Sequence, residues 1–397
     1  MHHNPDKLPT VALFIESSRA SGRSLLLGIA AYARHHGPWA FYWEPGGLEN
    51  ASRRLESLDV DGIILRDVEV LEQVLPRIIP TIVVGHSRRE VRGFSNVITD
   101  SEMISRFAAE HLIDCGFRDF AFVGYEGNPW SDERRDVFVK FISKAGYQTQ
   151  LYSIATVRVP AREPFQDARE IPWKTEQTIM ANWLKQLPLP IGIMACNDDR
   201  AEKLIEACKL AGLRVPDDVG IIGADNDELV CELAHPPLSS VAISFERAGF
   251  ESARLLHKMM GHPRRSRTNN IIVEPTHVVP RQSTDILFIE DAAVARAVRF
   301  IRHNACRQIG VNDVVSAAGL SRRVLERRFR AAVGRSVLSE VRRIRVDQIS
   351  RLLVDTNQSV SEIALASGFP GVEHLARYFR QERRMTPLAY RKAYGRR

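Results

Sequence analysis

The chain has 397 residues, 44% hydrophobic and 26% charged, with a formal net charge of +7. Such a composition excludes a fibre or a disordered chain, and at roughly 150 residues per domain the length suits two or three folding units. The charge is uneven: residues 286–397 hold 22 Lys and Arg against 10 Asp and Glu, while residues 1–285 hold 33 against 38, which points either to a polyanion as the partner of the C-terminal part or to Arg enrichment by a G+C-rich genome.

Residues 1–9 are polar and lead into no export-type apolar run. Nowhere does the chain reach the ~18 consecutive apolar residues of a membrane span. Five cysteines (Cys115, Cys196, Cys208, Cys231, Cys306) are odd in number and none forms a Cys-x-x-Cys pair. That argues against a disulfide framework or a zinc site. A cytoplasmic protein with no metal, no cofactor and no membrane contact is expected.

Val11–Ile15 reads as a buried strand and Ser21–His35 as a helix turning Leu25, Leu26, Ile29 and Tyr32 inward. Further strands are expected at Ala40–Trp43, Gly62–Leu65, Thr81–Gly85, Phe120–Gly124, Gly192–Ala195 and Gly220–Gly223. Helical stretches at Asp67–Leu75, Glu102–Cys115, Asp132–Ala145, Thr175–Gln186, Asp199–Ala211 and Phe245–Met260 alternate with them. This alternation predicts parallel sheet covered by helices, with ligands at the carboxyl edges of the strands. The polar run Pro263–Asn270 breaks the pattern, Ile271–Val279 reads as one last strand, and Arg281–Asp291 as the junction to a purely helical part.

Within that part, Val314–Phe329 and Ile363–Phe379 repeat, their phenylalanines 50 residues apart. Gly319 and Gly368 stand where a tight inter-helix turn needs positive φ. Ser359-x-x-Glu362 matches a capping box. Leu325 with Phe329, and Leu375 with Phe379, form the inward stripe of each second helix. Arg323, Glu326, Arg327 and Arg330 share the outward face of the first such helix, and Glu373, His374 and Arg377 that of the second. An Arg-bearing helix behind a glycine turn suits the major groove. Ordinary hairpins with solvated charged faces are the plainer reading, but two such units at a fixed repeat weigh against it.

These residues resemble the AraC family of regulators from Asn304 to Arg391. The signature runs through Gly319-Leu-Ser321-x-x-x-Leu325-x-x-x-Phe329, Gly334, Arg343-x-x-x-Asp347, Leu352-Leu353, Ser361-Glu-Ile-Ala364, Gly368-Phe369, Phe379 and Thr386-Pro387-x-x-Tyr390-Arg391. The resemblance implies two helix-turn-helix units, at about 311–333 and 360–384, joined by a long helix over Val337–Asp355. It also implies base contacts from Arg322, Arg323, Glu326 and Arg327, then from Val372, Glu373, His374 and Arg377. Two positions depart from the pattern. Arg384 replaces a usual Gly, which threatens the turn before Met385-Thr386-Pro387, and Leu375 replaces a usual Phe.

The body, about Val11–Thr284, resembles the sensor core of LacI/GalR regulators and periplasmic sugar-binding proteins. The matching segments are Val97–Asp100, Ala109–Gly124, Ala195–Asp198, Ala211–Asp225 and Pro236–Val241. The two resemblances together imply a two-lobed α/β periplasmic-binding-protein-like sensor over residues 1–284, followed by an all-α double helix-turn-helix domain over 285–397. Sensor first and reader last is an order similar to that of xylose-operon regulators, which Asp225–Leu229 and Arg281–Asp285 also fit. A pentose effector, an operator on double-stranded DNA, a homodimer and activation through RNA polymerase are what that resemblance implies. Candidate sugar contacts are Glu16, Ser17, Arg134, Asn197, Asp198 and Asp225. Trp43 and Trp130 are either stacking surfaces or plain core, and helix capping competes as the role of Asp198 and Asp225. No Gly-x-Ser-x-Gly, phosphate-loop or His-Glu-x-x-His motif suggests an enzyme. The rival reading is a regulator whose sensor no longer binds sugar and serves in dimerisation or protein contact.

Overall fold

Apolar runs of four or five residues become the inner strands of two parallel sheets. The computed structural model describes residues 8–47, 59–66, 79–85, 90–152, 173–261, 269–286, 289, 291–305 and 307–395. The first sheet contains β1 (Thr10–Phe14), β2 (Ala40–Trp43), β3 (Gly62–Arg66), β4 (Thr81–Val84), β5 (Ser95–Thr99) and β11 (Ile271–Val273), in the order β11-β5-β4-β3-β1-β2. The second contains β6 (Asp119–Val123), β7 (Thr149–Tyr152), β8 (Ile191–Ala195), β9 (Val219–Asp225), β10 (Ser239–Ile243) and β12 (Pro275–Val279), in the order β12-β10-β9-β8-β6-β7. All pairings are parallel except β10 with β12. β4 and β8 are buried along their whole length, which explains why they read as unbroken apolar runs.

Helices α1 (Ala20–His36), α2 (Ser101–Asp114), α3 (Pro129–Lys144), α4 (Trp173–Leu184), α5 (Asp198–Ala211), α6 (Glu228–Leu233) and α7 (Phe245–Gly261) flank the sheets. α1 and α7 pack against each other backbone to backbone beside the first sheet. A Cβ on Gly28 would stand 1.8 Å from the Glu246 carbonyl oxygen, and one on Gly249 would stand 2.0 Å from that of Leu25. No side chain fits at either place.

Each sheet with its helices is one lobe, and the chain crosses between lobes three times, at Asp100, Ser244 and Glu274. The crossings are tied together: Asp100 N donates to Val273 O (2.9 Å) and Ser244 N to Glu274 O (3.2 Å). Ile271–Val279 is therefore not one strand. Glu274 divides it, with β11 adding to the first sheet and β12 to the second. Period-two alternation does not show where a strand changes partners. β5, β7 and β10 are further strands that the sequence pattern does not announce, because their Ser, Thr and Asn content leaves no apolar run. The expected helix at Asp67–Leu75 falls outside the described residues.

The C-terminal part is wholly helical: α8 (Ala292–His303), α9 (Val311–Ala318), α10 (Arg322–Val333), α11 (Val337–Asp355), α12 (Val360–Ala366), α13 (Val372–Arg383) and α14 (Pro387–Tyr394). Two apolar cores serve it. One gathers α8 to α10 around Leu325 and Phe329, the other α12 to α14 around Leu375 and Phe379. Gly319 and Gly368 take φ of +69° and +73°. The capping box closes, Ser359 N donating to Glu362 Oε2 (2.6 Å) and Glu362 N to Ser359 Oγ (3.1 Å). Leu375 is fully buried in place of the larger ring. Arg384 adopts φ +58° and the turn before Pro387 survives, so the expected distortion is absent.

The junction is shorter than Arg281–Asp291. Arg281 Nη1 donates to Asn226 Oδ1 (3.0 Å) and Leu238 O (2.9 Å), and Ser283 Oγ donates to Ile221 O (2.6 Å). Residues through Thr284 thus pack as part of the second lobe. Among the described residues no helix is long and apolar enough to cross a membrane.

Candidate ligand cleft and nucleic-acid interface

The strands of both sheets end at the gap between the lobes, where a cavity of about 60 Å³ lies. Its wall includes Arg19, Ser21, Arg66, Thr99, Trp130, Arg134, Asn197, Asp225 and Phe245. Across its mouth Arg19 Nε lies 2.9 Å from Asp199 Oδ2, and Ala20 N donates to Asp227 Oδ2 (2.7 Å). Both contacts join the start of α1 in one lobe to the second lobe.

Arg134, on the first turns of α3, is 2% exposed. Its Nη1 donates to Cys196 O (2.5 Å), its Nη2 lies 3.7 Å from Asp225 Oδ1, and its guanidinium stands 5.1 Å from the Trp130 ring. Asp225 closes β9 at φ +106°. Burial raises its carboxyl above the usual range, against the pull of Arg134. Asn197 lines the cavity and also caps α5, its Oδ1 accepting from Arg200 N (3.0 Å). These three candidates come together as the sequence suggests.

The other three are placed differently. Asp198 lies under the cleft, its Oδ1 accepting from Ser240 Oγ (2.5 Å) and its Oδ2 from Asp227 N (2.8 Å), so it braces two loops and is not on the cavity wall. Glu16 stands at the rim, 3.8 Å from Arg66 Nη1 and 3.9 Å from Arg19 Nε. Ser17 offers its carbonyl to Arg23 Nη1 (2.8 Å) and does not reach the wall. Of the tryptophans only Trp130 lines the cavity; Trp43 Nε1 donates to Ile15 O (3.2 Å). Asn197 and Asp227 cap the following helices, so neither Asp198 nor Asp225 is a cap.

Arg66 is a wall residue that sequence reasoning misses. It ends β3 one residue beyond the apolar run, at the carboxyl edge where such folds place ligand contacts. Burial lowers its pKa, opposed by Glu16. Three buried atoms on the wall, Arg66 Nε, Arg134 Nε and Asp225 Oδ1, have no hydrogen-bond partner. Leaving such a group unsatisfied costs roughly 1–3 kcal/mol. Two donors and an acceptor facing one small space suit a ligand whose groups both donate and accept, as hydroxyls do.

On α10 and α13, Leu325, Phe329, Leu375 and Phe379 are fully buried, as their spacing predicts. Arg322, Arg323 and Arg327 on α10, and Val372, Glu373, His374 and Arg377 on α13, are exposed. The four arginines have no hydrogen-bond or ion-pair partner among the described residues. Glu326 is half-buried and turns back, its Oε2 accepting from Val337 N at 3.5 Å.

A family model of periplasmic binding protein-like domains matches residues 109–284, and a helix-turn-helix model matches residues 314–393. The xylose operon regulatory protein of Haemophilus influenzae is 32% identical over 390 residues, covering 96% of this chain and 97% of that one. Its counterpart in Escherichia coli K12 is 29% identical over 393 residues, 96% of each. The solved structure of a xylose-binding transcription activator, xylR, aligns over 98% of this chain and 100% of its own, at 28% identity and TM-score 0.59. A cellobiose complex of the regulator CelR aligns over 69% of this chain at 23% identity and TM-score 0.55, a likeness of fold in the body alone.

Proposed function

This chain belongs to the family of xylose operon regulators, sugar-responsive DNA-binding transcription regulators, and we propose that xylose or a near pentose is its effector. The observation that supports a working sensor is the set of buried atoms on cleft-wall residues that have no hydrogen-bond partner, Arg66 Nε, Arg134 Nε and Asp225 Oδ1. Arg134, Asn197, Asp225 and Arg66 contact the hydroxyls, and the Trp130 ring packs on the sugar face. Glu16 closes the rim through Arg66, while Asp198 braces the floor.

In this reading residues 1–284 form the sensor and dimerisation domain, and residues 285–397 read DNA. Arg322, Arg323 and Arg327, with Val372, Glu373, His374 and Arg377, reach base edges in successive major grooves, and Glu326 orients the first unit through Val337. The protein works as a cytoplasmic homodimer that activates transcription through contact with RNA polymerase. Sugar acts by favouring one lobe arrangement over another, a coupling of about 1–3 kcal/mol in typical cases.

Thermal melting against xylose, arabinose, ribose and glucose tests the effector. Ligand at 100 times its Kd adds about 2.7 kcal/mol of stability, so one pentose should raise the melting temperature selectively. No shift with any sugar would leave the body as a dimerisation or protein-contact module.

A further inference from the structure

Both helix-turn-helix units are tied to the second lobe, and among the described residues only the second also reaches the hinge. Unit one is held by Asp114, the last residue of α2 in the second lobe. Its carboxylate pairs with Arg335 and, at 3.0 Å, with Arg343, and its carbonyl accepts from Arg302 Nη2 (3.3 Å). Glu340, 2% exposed, pairs with the same two arginines at 3.5 and 2.8 Å. Every sensor group in this cluster belongs to the body of the second lobe.

Unit two is held by α14, which reaches both β12 of the second lobe, through Thr276, and the hinge itself, through Glu274. Tyr390 Oη donates to Thr276 O (2.8 Å), and Tyr394 Oη donates to Glu274 Oε2 (3.0 Å). Glu274 is itself the third interlobe crossing, bonded through its carbonyl to Ser244 of the second. The Arg247 guanidinium, on α7 of the first lobe, stands 5.6 Å from the Tyr394 ring. From there packing runs into the reading helix: the rings of Tyr394 and Tyr390 are 4.7 Å apart, and those of Tyr390 and Phe379 5.2 Å. Tyr390 occupies in unit two the place that Glu340 occupies in unit one, fifty residues earlier. An ion-pair anchor in one copy is an aromatic link in the other.

Lobe rotation is absorbed at a few hinge residues, so a helix bonded to the hinge moves differently from one bonded to a lobe. We infer that Tyr394 is a positioning residue that carries lobe rotation from Glu274 through Tyr390 and Phe379 to α13. The effector thereby re-poses the second reading helix against the first, and the DNA-binding domain does not travel as one body. The inference rests on the sugar-responsive reading above.

Operator binding of the full-length protein, followed by fluorescence anisotropy at fixed salt with and without D-xylose, tests it. Tyr394→Phe keeps the ring stack and removes only the hydroxyl. Its xylose affinity by calorimetry should equal wild type, while the ratio of operator affinities with and without xylose should move at least threefold toward one. Glu274→Ala should do the same, with no further change in the double variant, and it carries the test if Tyr394→Phe misfolds. A wild-type ratio retained in both variants overturns the inference and leaves the sensor reading intact, as does loss of xylose binding in Tyr394→Phe. A wild-type ratio of one, with no xylose binding, overturns both.

Discussion

Gly334 and Arg384 end the two reading helices with the same left-handed turn, at φ +77° and +58°. Each backbone amide closes on the carbonyl four residues earlier, Arg330 at 3.0 Å and Arg380 at 2.9 Å. The geometry is one, but glycine enters it freely and arginine does not.

Arg384→Gly should therefore stabilise the protein. Left-handed backbone costs an L-residue about 1–2 kcal/mol, and glycine's extra unfolded entropy takes back about 0.5–1 kcal/mol. A net gain of roughly 0.5–1 kcal/mol is expected in urea unfolding, and a lower midpoint would refute the strain.

Asp225→Asn should weaken pentose binding at least tenfold by calorimetry. A hydrogen bond to a charged group contributes about 1.5–3 kcal/mol, and this carboxylate, on the cavity wall, has an oxygen without a hydrogen-bond partner. Unchanged affinity would remove Asp225 from the contacts.

Arg327→Ala should cost ~1–3 kcal/mol of specific operator binding if its exposed guanidinium holds a guanine. The same change should alter non-specific binding less. Equal affinity for the operator at controlled salt would place Arg327 outside the base contacts.

His111 gives the fold a pH dependence. Its Nε2 lies 2.8 Å from Thr284 Oγ1, and burial pulls its pKa down to about 3, with Arg302, Arg343 and Arg351 pulling the same way. An unfolded histidine titrates near 6.5. Between about 3 and 6.5 the unfolded chain binds more protons, so this contribution is complete above about pH 6.5 and is lost as pH falls. The slope is at most about 1.4 kcal/mol per unit. His111→Gln should flatten the urea midpoint between pH 6.5 and 5; an unaltered slope would falsify the assignment.

The elements whose physics is local are legible in the sequence. The capping box of Ser359 and Glu362 opens its helix as the spacing predicts, while Val337–Asp355 has the bounds that the family resemblance implies. Arg134, Asn197 and Asp225 are legible through segment resemblance. Glu274 is not, since nothing in Ile271–Val279 marks the residue at which pairing passes from one sheet to the other. Arg66 escapes because a charged residue after an apolar run reads as the end of a strand. Its burial depends on Glu16 and Ser21, which only the folded sheet brings beside it. Asp198 belongs under the cleft for a similar reason: its partners Ser240 and Asp227 are distant in sequence.

The 19 residues of α11 serve both reading units, giving Val337 and Val341 to the first core and Ile349 and Leu353 to the second. At 1.5 Å per residue they span about 28 Å, close to the ~34 Å turn of B-DNA. On the proposed reading, this helix acts as a ruler for the operator. Adding one residue lengthens it by about 1.5 Å and turns its end by about 100°, whereas one more base pair shifts the second groove by about 3.4 Å and roughly 35°. The two step sizes do not match, so, on the proposed reading of two successive grooves, an operator with one base pair added between its two submotifs should bind more weakly.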